Sequence, residues 1–256
     1  MSEGTLEARL VRRVGDIAGL YSAFRRGDPS RSLEFIDALD PGVPRAKKWV
    51  IMVSTQFGCP VGCAICDAGD RPYRGNVSGE EILEQVRRVL AAHPEQDPAR
   101  VPKLKVHFAR MGEPSFNEGV LEALSALGGG GRLPGLLPSV SSVAPRCARS
   151  AAFFETLRAV KDRWFRDGMF QLQFSVHSTD DEARRALVPI RTWSLEEMAE
   201  FGRRCALQLE EKILELGAQN VAGFIAEPFQ GAGGMIFPPE SYWPEIQRIC
   251  RQYDVG

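Results

Sequence analysis

Three cysteines lie close together in residues 58–69, with the spacing Cys59-x3-Cys63-x2-Cys66. Three thiolates on one short loop, in which Gly58 and Gly62 permit tight turns, can wrap a single inorganic core. A four-iron, four-sulfur (4Fe-4S) cluster has four corners, so three cysteines leave one iron open. An open metal position is where chemistry takes place, as it does in catalytic zinc sites. The spacing therefore predicts a reactive metal centre.

Two other interpretations of these cysteines stay open. A structural zinc ion would require a fourth ligand, because no partner cysteine pair lies at zinc-ribbon or zinc-finger spacing. His107, His177 or Asp67 would have to supply that ligand. In the other interpretation, the thiols bind no metal at all.

The composition is that of an ordinary globular protein: 256 residues, 44% apolar and 25% charged, with a net charge of −1. This excludes collagen, coiled-coil and disordered classes, and the near-zero charge provides no general attraction to nucleic acid. No apolar run approaches the roughly 20 residues of a membrane-spanning helix, and the charged N-terminus has no signal-peptide core. We therefore expect a cytoplasmic protein with no membrane partner, whose six cysteines are ligands or core residues instead of disulfides.

The segments around the cysteines predict a repeated strand–helix unit. A continuous apolar run from Trp49 to Val53 suits a strand buried on both faces, and residues 79–92 have helical spacing with Ser78 as the N-cap. The pattern recurs downstream, with strands over 104–110, 137–143 and 171–177 and helices over 118–127 and 150–161. Four such units predict an α/β fold, a partial TIM-like (β/α) barrel whose polar strand faces line the interior.

The N-terminal 48 residues are predicted to form a helical region. Apolar residues at three- and four-residue spacings over 5–24 indicate an amphipathic helix, with Arg9, Arg12 and Arg13 on its wet side. These arginines could contact RNA or phosphate. A solvated helix face explains them as well, because basic residues exceed acidic ones in this region by only two.

A Cys-x3-Cys-x2-Cys motif after a buried strand resembles the radical S-adenosylmethionine (SAM) superfamily. The resemblance covers roughly residues 47–200, and we expect a radical SAM core over 49–200. It implies that Cys59, Cys63 and Cys66 hold a 4Fe-4S cluster whose open iron is chelated by SAM. It also implies an electron donor of the flavodoxin or ferredoxin type and reductive cleavage of SAM to a 5'-deoxyadenosyl radical.

A second match is Met-Gly-Glu-Pro at 111–114, which resembles the superfamily's motif for the SAM ammonium group. In that family, backbone carbonyls and the glutamate contact the ammonium, so the resemblance assigns Gly112 and Glu113 to SAM. In isolation, the same four residues would be an ordinary strand-to-helix turn.

Within the superfamily, three further segments resemble the ribosomal RNA adenine methyltransferases. These are Ser-Val-Ser-Ser-Val at 139–143, Ser-Val-His at 175–177 and Leu-Val-Pro-Ile at 187–190. The resemblance implies SAM contacts by Ser141, Ser175 and His177, and it makes RNA a possible substrate. As alternatives, Ser141 is a strand serine and His177 is a satisfied interior histidine.

Three departures from that family bear on the reaction. Its members carry a methyl-relay cysteine seven residues before the cluster motif and a second one near the C-terminus. Met52 stands at the first position, and a thioether cannot serve as a thiolate nucleophile. The resemblance finds no counterpart of the segment with the second cysteine in residues 1–256, and Ile65 stands where that family commonly has an aromatic residue that packs on adenine. Methyl transfer by the dual-cysteine route is therefore not expected, and the substrate stays open.

Residues 201–256 resemble a different family, the pyridoxal phosphate (PLP) enzymes of aminotransferase class III (omega). The matching segments are Glu-Pro-Phe-Gln-Gly at 227–231 and Gly-Ala-Gly-Gly at 231–234. The aspartate and the Schiff-base lysine of that family have no counterpart here, so transamination is not expected. In a purely structural interpretation, a helix over 201–217 and a strand over 221–226 would form a fifth β/α unit. In another interpretation, the glycine run at 231–234 could bind a phosphate.

The sequence therefore supports three hypotheses. The first is a radical SAM enzyme of unknown substrate. The second is a fragment of a PLP-dependent class III aminotransferase. The third is a non-catalytic chimeric protein or binding module, whose incomplete barrel would expose apolar surface.

Overall fold

The computed structural model describes residues 5–131, 133–166, 168–224 and 242–256. The chain divides into two compact units, Met1–Thr192 and Trp193–Gly256. The boundaries at residues 48 and 200 were drawn from sequence resemblance and stay predictions.

The first unit contains one seven-stranded sheet whose strands follow each other in chain order. The first four strands pair antiparallel and the last four, β4 to β7, pair parallel. The strands are β1 Leu6–Val14, β2 Ala18–Arg25, β3 Asp28–Ala38, β4 Lys48–Val53, β5 Lys103–Phe108, β6 Leu136–Ser142 and β7 Gln171–Phe174. Because β4 to β7 run in the same direction, the loops that follow them meet at one edge, the carboxyl edge of the sheet.

The predicted helices between the parallel strands are confirmed. They are α1 Gly79–Ala91, α2 Gly119–Gly129 and α3 Ala148–Trp164. A further helix, α4 Asp181–Leu187, follows β7 and was not predicted. The start of α1 is set by a capping box, in which the Ser78 hydroxyl accepts the Glu81 N–H at 3.2 Å and the Glu81 carboxylate accepts the Ser78 N–H at 2.8 Å. Three-residue 3-10 turns lie at Pro98–Arg100 and Pro114–Phe116.

The predicted helix over residues 5–24 is wrong, and so is the helical region 1–48, because the described part of it forms β1, β2 and β3. Gly15 and Gly27 adopt positive φ values of 50° and 77° and lie in the two turns, where the chain reverses into hairpins. In β2 every second residue from Gly19 to Ala23 is buried, the period of a strand. The arginines of β1 are exposed.

The core of the first unit lies between the sheet and its helices. Trp49, Ile51 and Val53 of β4 are wholly buried, as are Val106 and Phe108 of β5. Helices α1 to α3 contribute buried apolar side chains to this core: Ile82, Val86, Val89, Val120, Leu124, Phe154 and Leu157. The opposite face of the parallel strands, here called the inner face, is partly polar: Lys105, His107, Ser139, Ser141, Gln171 and Gln173. Strand β7 ends at Phe174, three residues before the predicted end.

The second unit is helical in its described residues. The predicted helix over 201–217 is confirmed but begins earlier, as α5 Leu195–Leu216, and α6 is Tyr242–Gln252. Residues 221–224 are not in a strand, and the rest of that predicted strand, together with 227–234 and its glycine run, lies outside the described residues. None of the described helices is both long and apolar enough to cross a membrane.

Candidate functional site

The cysteine loop, residues 58–73, follows β4 at the carboxyl edge of the sheet. Its base is closed by backbone hydrogen bonds from Phe57 N–H to Gly75 O at 3.0 Å and from Val77 N–H to Thr55 O at 3.1 Å. The Asn117 amide donates to the carbonyls of Thr55 and Val77 at 2.6 and 2.7 Å, which fastens both ends of the loop. The loop therefore leaves the sheet from a fixed base.

Gly58 opens the loop with φ 78°, and a Cβ there would lie 2.4 Å from the Pro72 carbonyl oxygen. No side chain fits that distance, so only glycine allows the two ends of the loop to approach so closely. Gly62 also has a positive φ, 68°. The tight turns predicted from these two glycines are confirmed.

The three thiols share this loop but differ in burial. Cys59 and Cys63 are half-buried, whereas Cys66 is exposed. The first two pack against an apolar cluster of Val61, Val143 and Val188. Burial raises the pKa of Cys59, and burial together with the Cys59 and Cys66 thiols and the Glu113 carboxylate raises the pKa of Cys63 to about 11. A bound metal would displace protons from these thiols.

The described residues show no assembled site for a zinc ion or for an iron–sulfur cluster. Of the proposed fourth ligands, Asp67 is paired with Arg110, His107 Nε2 is hydrogen-bonded to Ser141, and His177 is exposed. No group of three or more His, Cys, Asp or Glu side chains lies at metal-binding distance among the described residues, and this holds for Cys59, Cys63 and Cys66 themselves. The three thiols have the donor type of an iron–sulfur cluster, and cluster binding stays a prediction.

Gly112 follows β5 and is pressed against the segment that leads into the cysteine loop. Its φ is 99°, and a Cβ there would lie 2.6 Å from Gln56 Cβ and 2.7 Å from Thr55 Oγ1. The neighbouring Met111 carbonyl accepts the Thr55 N–H at 2.8 Å. The motif at 111–114 therefore contacts residues 55 and 56, which lead into the cysteine loop, and only glycine fits at position 112.

Glu113 joins three segments at the carboxyl edge. Its side chain is buried, and its carboxylate accepts hydrogen bonds from Ser142 Oγ at 2.6 Å, Val143 N–H at 3.0 Å and Ser115 N–H at 3.0 Å. Its own N–H donates to Gln56 Oε1 at 2.9 Å. Burial raises the pKa of Glu113, and the hydrogen bonds oppose that rise. Glu113 therefore holds the ends of β5 and β6 together, and contact with SAM stays a prediction.

Ser141 belongs to a separate network on the inner face. Its hydroxyl donates to Gln173 Oε1 at 3.0 Å and contacts His107 Nε2 at 2.8 Å. Because Ser141 gives its proton to the glutamine oxygen, we assign the ring proton of His107 to Nε2. Burial and the nearby Lys105 lower the pKa of His107 to about 4, so the ring is neutral at pH 7.

Ser175 and His177 lie beyond β7. The Ser175 N–H donates to the Ser142 carbonyl at 2.8 Å, which continues the pairing of β6 and β7 by one residue. His177 is exposed and has φ 62°, an uncommon conformation for a side chain with a Cβ. The alternative of an interior, satisfied histidine is therefore wrong for His177, and its role stays a prediction.

Sequence reasoning missed Ser142 and Arg110, considered His107 only as a zinc ligand, and placed Gln173 on the polar strand face without giving it a partner. A signal for the first was available: in a strand, successive side chains face opposite sides. The side chains of Ser141 and Ser142 must therefore lie on opposite faces of the sheet. In the structure, Ser142 contacts Glu113 and Ser141 contacts His107.

Comparisons with known proteins find similarity to two different families. A family model for class-III aminotransferases matches residues 178–255. The putrescine–pyruvate aminotransferase of Pseudomonas aeruginosa is 62% identical over 56 residues, 22% of this chain and 12% of that protein. A probable dual-specificity RNA methyltransferase RlmN of Desulfitobacterium hafniense is 35% identical over 159 residues, 60% of this chain and 41% of that protein.

Among solved structures, a radical SAM methyltransferase from Sphaerobacter thermophilus has a TM-score of 0.53 at 19% identity and covers 97% of this chain and 64% of that chain. The likeness at this identity concerns the fold, a mixed α/β architecture with parallel strands. Both resemblances predicted from the motifs, to radical SAM methyltransferases and to class III aminotransferases, are confirmed. The chain spans less than half the length of these two curated relatives.

Proposed function

We propose that this protein is a radical SAM enzyme. Cys59, Cys63 and Cys66 would hold a 4Fe-4S cluster, leaving one iron for SAM. The observation that carries the proposal is the cysteine loop itself: three thiols on one short loop after the first parallel strand, with the turn at Gly112 packed against residues 55 and 56, which lead into that loop. Bound there and reduced, the cluster would supply the electron that cleaves SAM to methionine and a 5'-deoxyadenosyl radical.

The architecture of the first unit supports this proposal. Four parallel strands with helices on one face have the arrangement of a partial (β/α) barrel, in which the site lies at the carboxyl ends of the strands. The cysteine loop, Gly112, Glu113 and Ser175 all follow such strand ends. We therefore propose a partial barrel of the radical SAM type, with its site at this edge.

The residues proposed for SAM are Gly112, Glu113, Ser141, Ser175 and His177. The inner face has the chemistry for a polar ligand, because Ser139, between His107 and Gln171 in the strand register, is wholly buried. Its hydroxyl has no hydrogen-bond partner among the described residues. A buried hydroxyl without a partner costs free energy, which a ligand with a donor or acceptor would recover.

The proposed substrate class is RNA, supported by the likeness to a protein that is named an RNA methyltransferase. The electron donor would be a small protein of the flavodoxin or ferredoxin type. Met52, which pairs with His107 in the register of β4 and β5, cannot act as a thiolate nucleophile. We therefore propose SAM cleavage without the dual-cysteine route of methyl transfer.

The second candidate, an aminotransferase fragment, is supported by the match to residues 178–255. That match concerns a small part of each aminotransferase, 12% in the case of the putrescine–pyruvate enzyme. PLP absorbance that survives dialysis and disappears when Lys212 is replaced would favour this candidate.

The decisive experiment is anaerobic reconstitution with iron and sulfide, followed by an assay for 5'-deoxyadenosine from SAM under dithionite. We expect cluster absorbance and product in the unaltered protein and loss of both in Cys63→Ala. Cys147→Ala is the matched control, because Cys147 is an exposed cysteine outside the loop. SAM cleavage that persists in Cys63→Ala would refute the proposal.

A further inference from the structure

A guanidinium group connects the cysteine loop to the sheet. Arg110 comes directly after β5, and its backbone N–H is anchored to the Val53 carbonyl of β4 at 3.1 Å. Its side chain donates two parallel hydrogen bonds to Asp67, from Nη1 to Oδ1 and from Nη2 to Oδ2, each 3.0 Å long. Asp67 is the residue next to Cys66. This fork geometry is the strong, directional form of an arginine–carboxylate pair.

The same guanidinium reaches β3. Arg110 Nη2 donates to Glu34 Oε2 at 2.5 Å, and the other oxygen of Glu34 accepts from Arg71, at the far side of the cysteine loop. The side chains of Arg110 and Glu34 are only 16% and 13% exposed. Arg110 and Glu34 thus contact the loop at Asp67 and Arg71, whose side chains are 69% and 41% exposed. The partly buried salt bridge, the kind that is worth more than an exposed pair, is the one between Arg110 and Glu34.

Cys66 depends on this connection more than the other two cysteines. Cys59 and Cys63 pack against the apolar cluster of Val61, Val143 and Val188, whereas Cys66 is exposed. The backbone hydrogen bonds at Cys66 are local: its N–H donates to the Cys63 carbonyl, and its carbonyl accepts from Gly69. Three described contacts hold this part of the loop: the Asp67–Arg110 pair, the Arg71–Glu34 pair and the hydrogen bond from Ala64 N–H to the Leu187 carbonyl at 2.9 Å. The Asp67–Arg110 pair is the one directly beside Cys66.

We propose that Arg110 is a positioning residue that, through Asp67 and with Glu34, holds Cys66 in place beside Cys59 and Cys63. The inference rests on the proposed iron–sulfur function of the three cysteines. In the absence of metal, Arg110 and Glu34 keep the loop ordered. When the cluster is bound, the same contacts slow its loss, because residues behind the ligands set the orientation of the ligands.

The test uses the full chain with Arg110→Met, which removes the charge and the fork, and Arg110→Lys, which keeps the charge alone. Asp67→Asn is a milder variant at a side chain that is 69% exposed, so it cannot prevent folding by leaving a hole in the core. The matched control is Arg88→Met, because Arg88 forms a comparable half-buried pair with Glu84 in α1, away from the loop.

Three measurements separate positioning from simple stability. Hydrogen exchange over residues 58–73 in the metal-free protein should rise in Arg110→Met and Asp67→Asn and stay unchanged in Arg88→Met. Iron loss to a chelator after anaerobic reconstitution should be about tenfold faster in Arg110→Met, with partial recovery in Arg110→Lys. The melting temperatures of Asp67→Asn and of the unaltered protein should agree closely.

The outcomes distinguish this inference from the proposed function. If the unaltered protein binds no iron, the proposed function fails and the inference fails with it. If the unaltered protein binds iron and both Arg110→Met and Asp67→Asn release it at the same rate as the control, the inference is overturned while the proposed function stands.

Discussion

The carboxyl edge and the inner face of the parallel strands use their polar side chains differently. At the edge, Glu113 and Asn117 bond to backbone groups of other segments, so each side chain holds parts of the chain together. On the inner face, His107, Ser141 and Gln173 bond to one another. Removal of an edge residue should therefore damage the fold and the site together, whereas a change on the inner face should leave the fold largely intact.

The largest effect is expected for Glu113→Ala. The substitution leaves buried donors at Ser115, Ser142 and Val143 without their acceptor, and each lost partner costs about 1–3 kcal/mol. We expect a loss of at least about 3 kcal/mol in the free energy of unfolding, measured by urea denaturation. Glu118→Ala is the control, because Glu118 is exposed and makes no side-chain capping hydrogen bond at the start of α2. Equal losses in the two variants would contradict the role of Glu113.

A smaller effect is expected for Gly112→Ala. The added methyl group meets Gln56 and Thr55 at less than 3 Å, and the backbone stays at φ 99°. Strain of this kind costs about 1–3 kcal/mol. Iron incorporation should fall as well, because the clash pushes on the base of the cysteine loop. Gly131→Ala is the control, since it has a comparable φ of 122° and open space around it. If Gly112→Ala is no worse than this control, the contact between the motif and residues 55 and 56 is unimportant.

The smallest effect concerns the inner face and depends on pH. The pKa of His107 is about 4 in the folded protein, below its ordinary value of 6.5. Between these two pH values the unfolded chain binds a proton that the folded protein does not. The contribution of neutral His107 to the free energy of unfolding is therefore fully present above pH 6.5 and is lost as the pH falls towards 4.

His107→Gln should remove this dependence while it keeps a polar side chain on the inner face. On going from pH 7 to pH 5, the unaltered protein should lose about 1 kcal/mol more than the variant, a figure already reduced for partial exposure to water. Urea unfolding of both proteins at the two pH values measures the difference. Parallel pH profiles would show that His107 is not held neutral by its surroundings.

The prediction of the parallel strands β4 to β7 succeeded where the local sequence pattern favours the same structure as the contacts in the folded protein. The apolar run from Trp49 to Val53 became β4, and Ser78 caps α1 as its position before two glutamates predicted. The N-terminal antiparallel strands, β1 to β3, were predicted wrongly as a helix, because the apolar residues of 5–24 fit a helical period. The two glycine turns that break this segment into strands were the stronger signal.

The candidate site was predictable only in part. The three cysteines and the motif at 111–114 are visible because each is a short run of adjacent residues. The partners of Glu113 and of Ser141 are not visible in this way. Ser142 is 29 residues from Glu113, and Gln173 is 32 residues from Ser141. Such pairs form only when parallel strands come into register.

The sequence by itself determined which chemical groups are available: three thiols on one glycine-rich loop and a motif that resembles a SAM-binding turn. It also determined that the C-terminal segment resembles a different family, the class III aminotransferases. These features depend on residue type and short spacing, which are local properties of the chain. Only the tertiary structure decided that Glu113, which follows β5, accepts a hydrogen bond from Ser142 at the end of β6, and that Arg110 connects Asp67 to Glu34. Those contacts join segments up to 76 residues apart, and no local pattern encodes them, because they arise from the pairing of the strands.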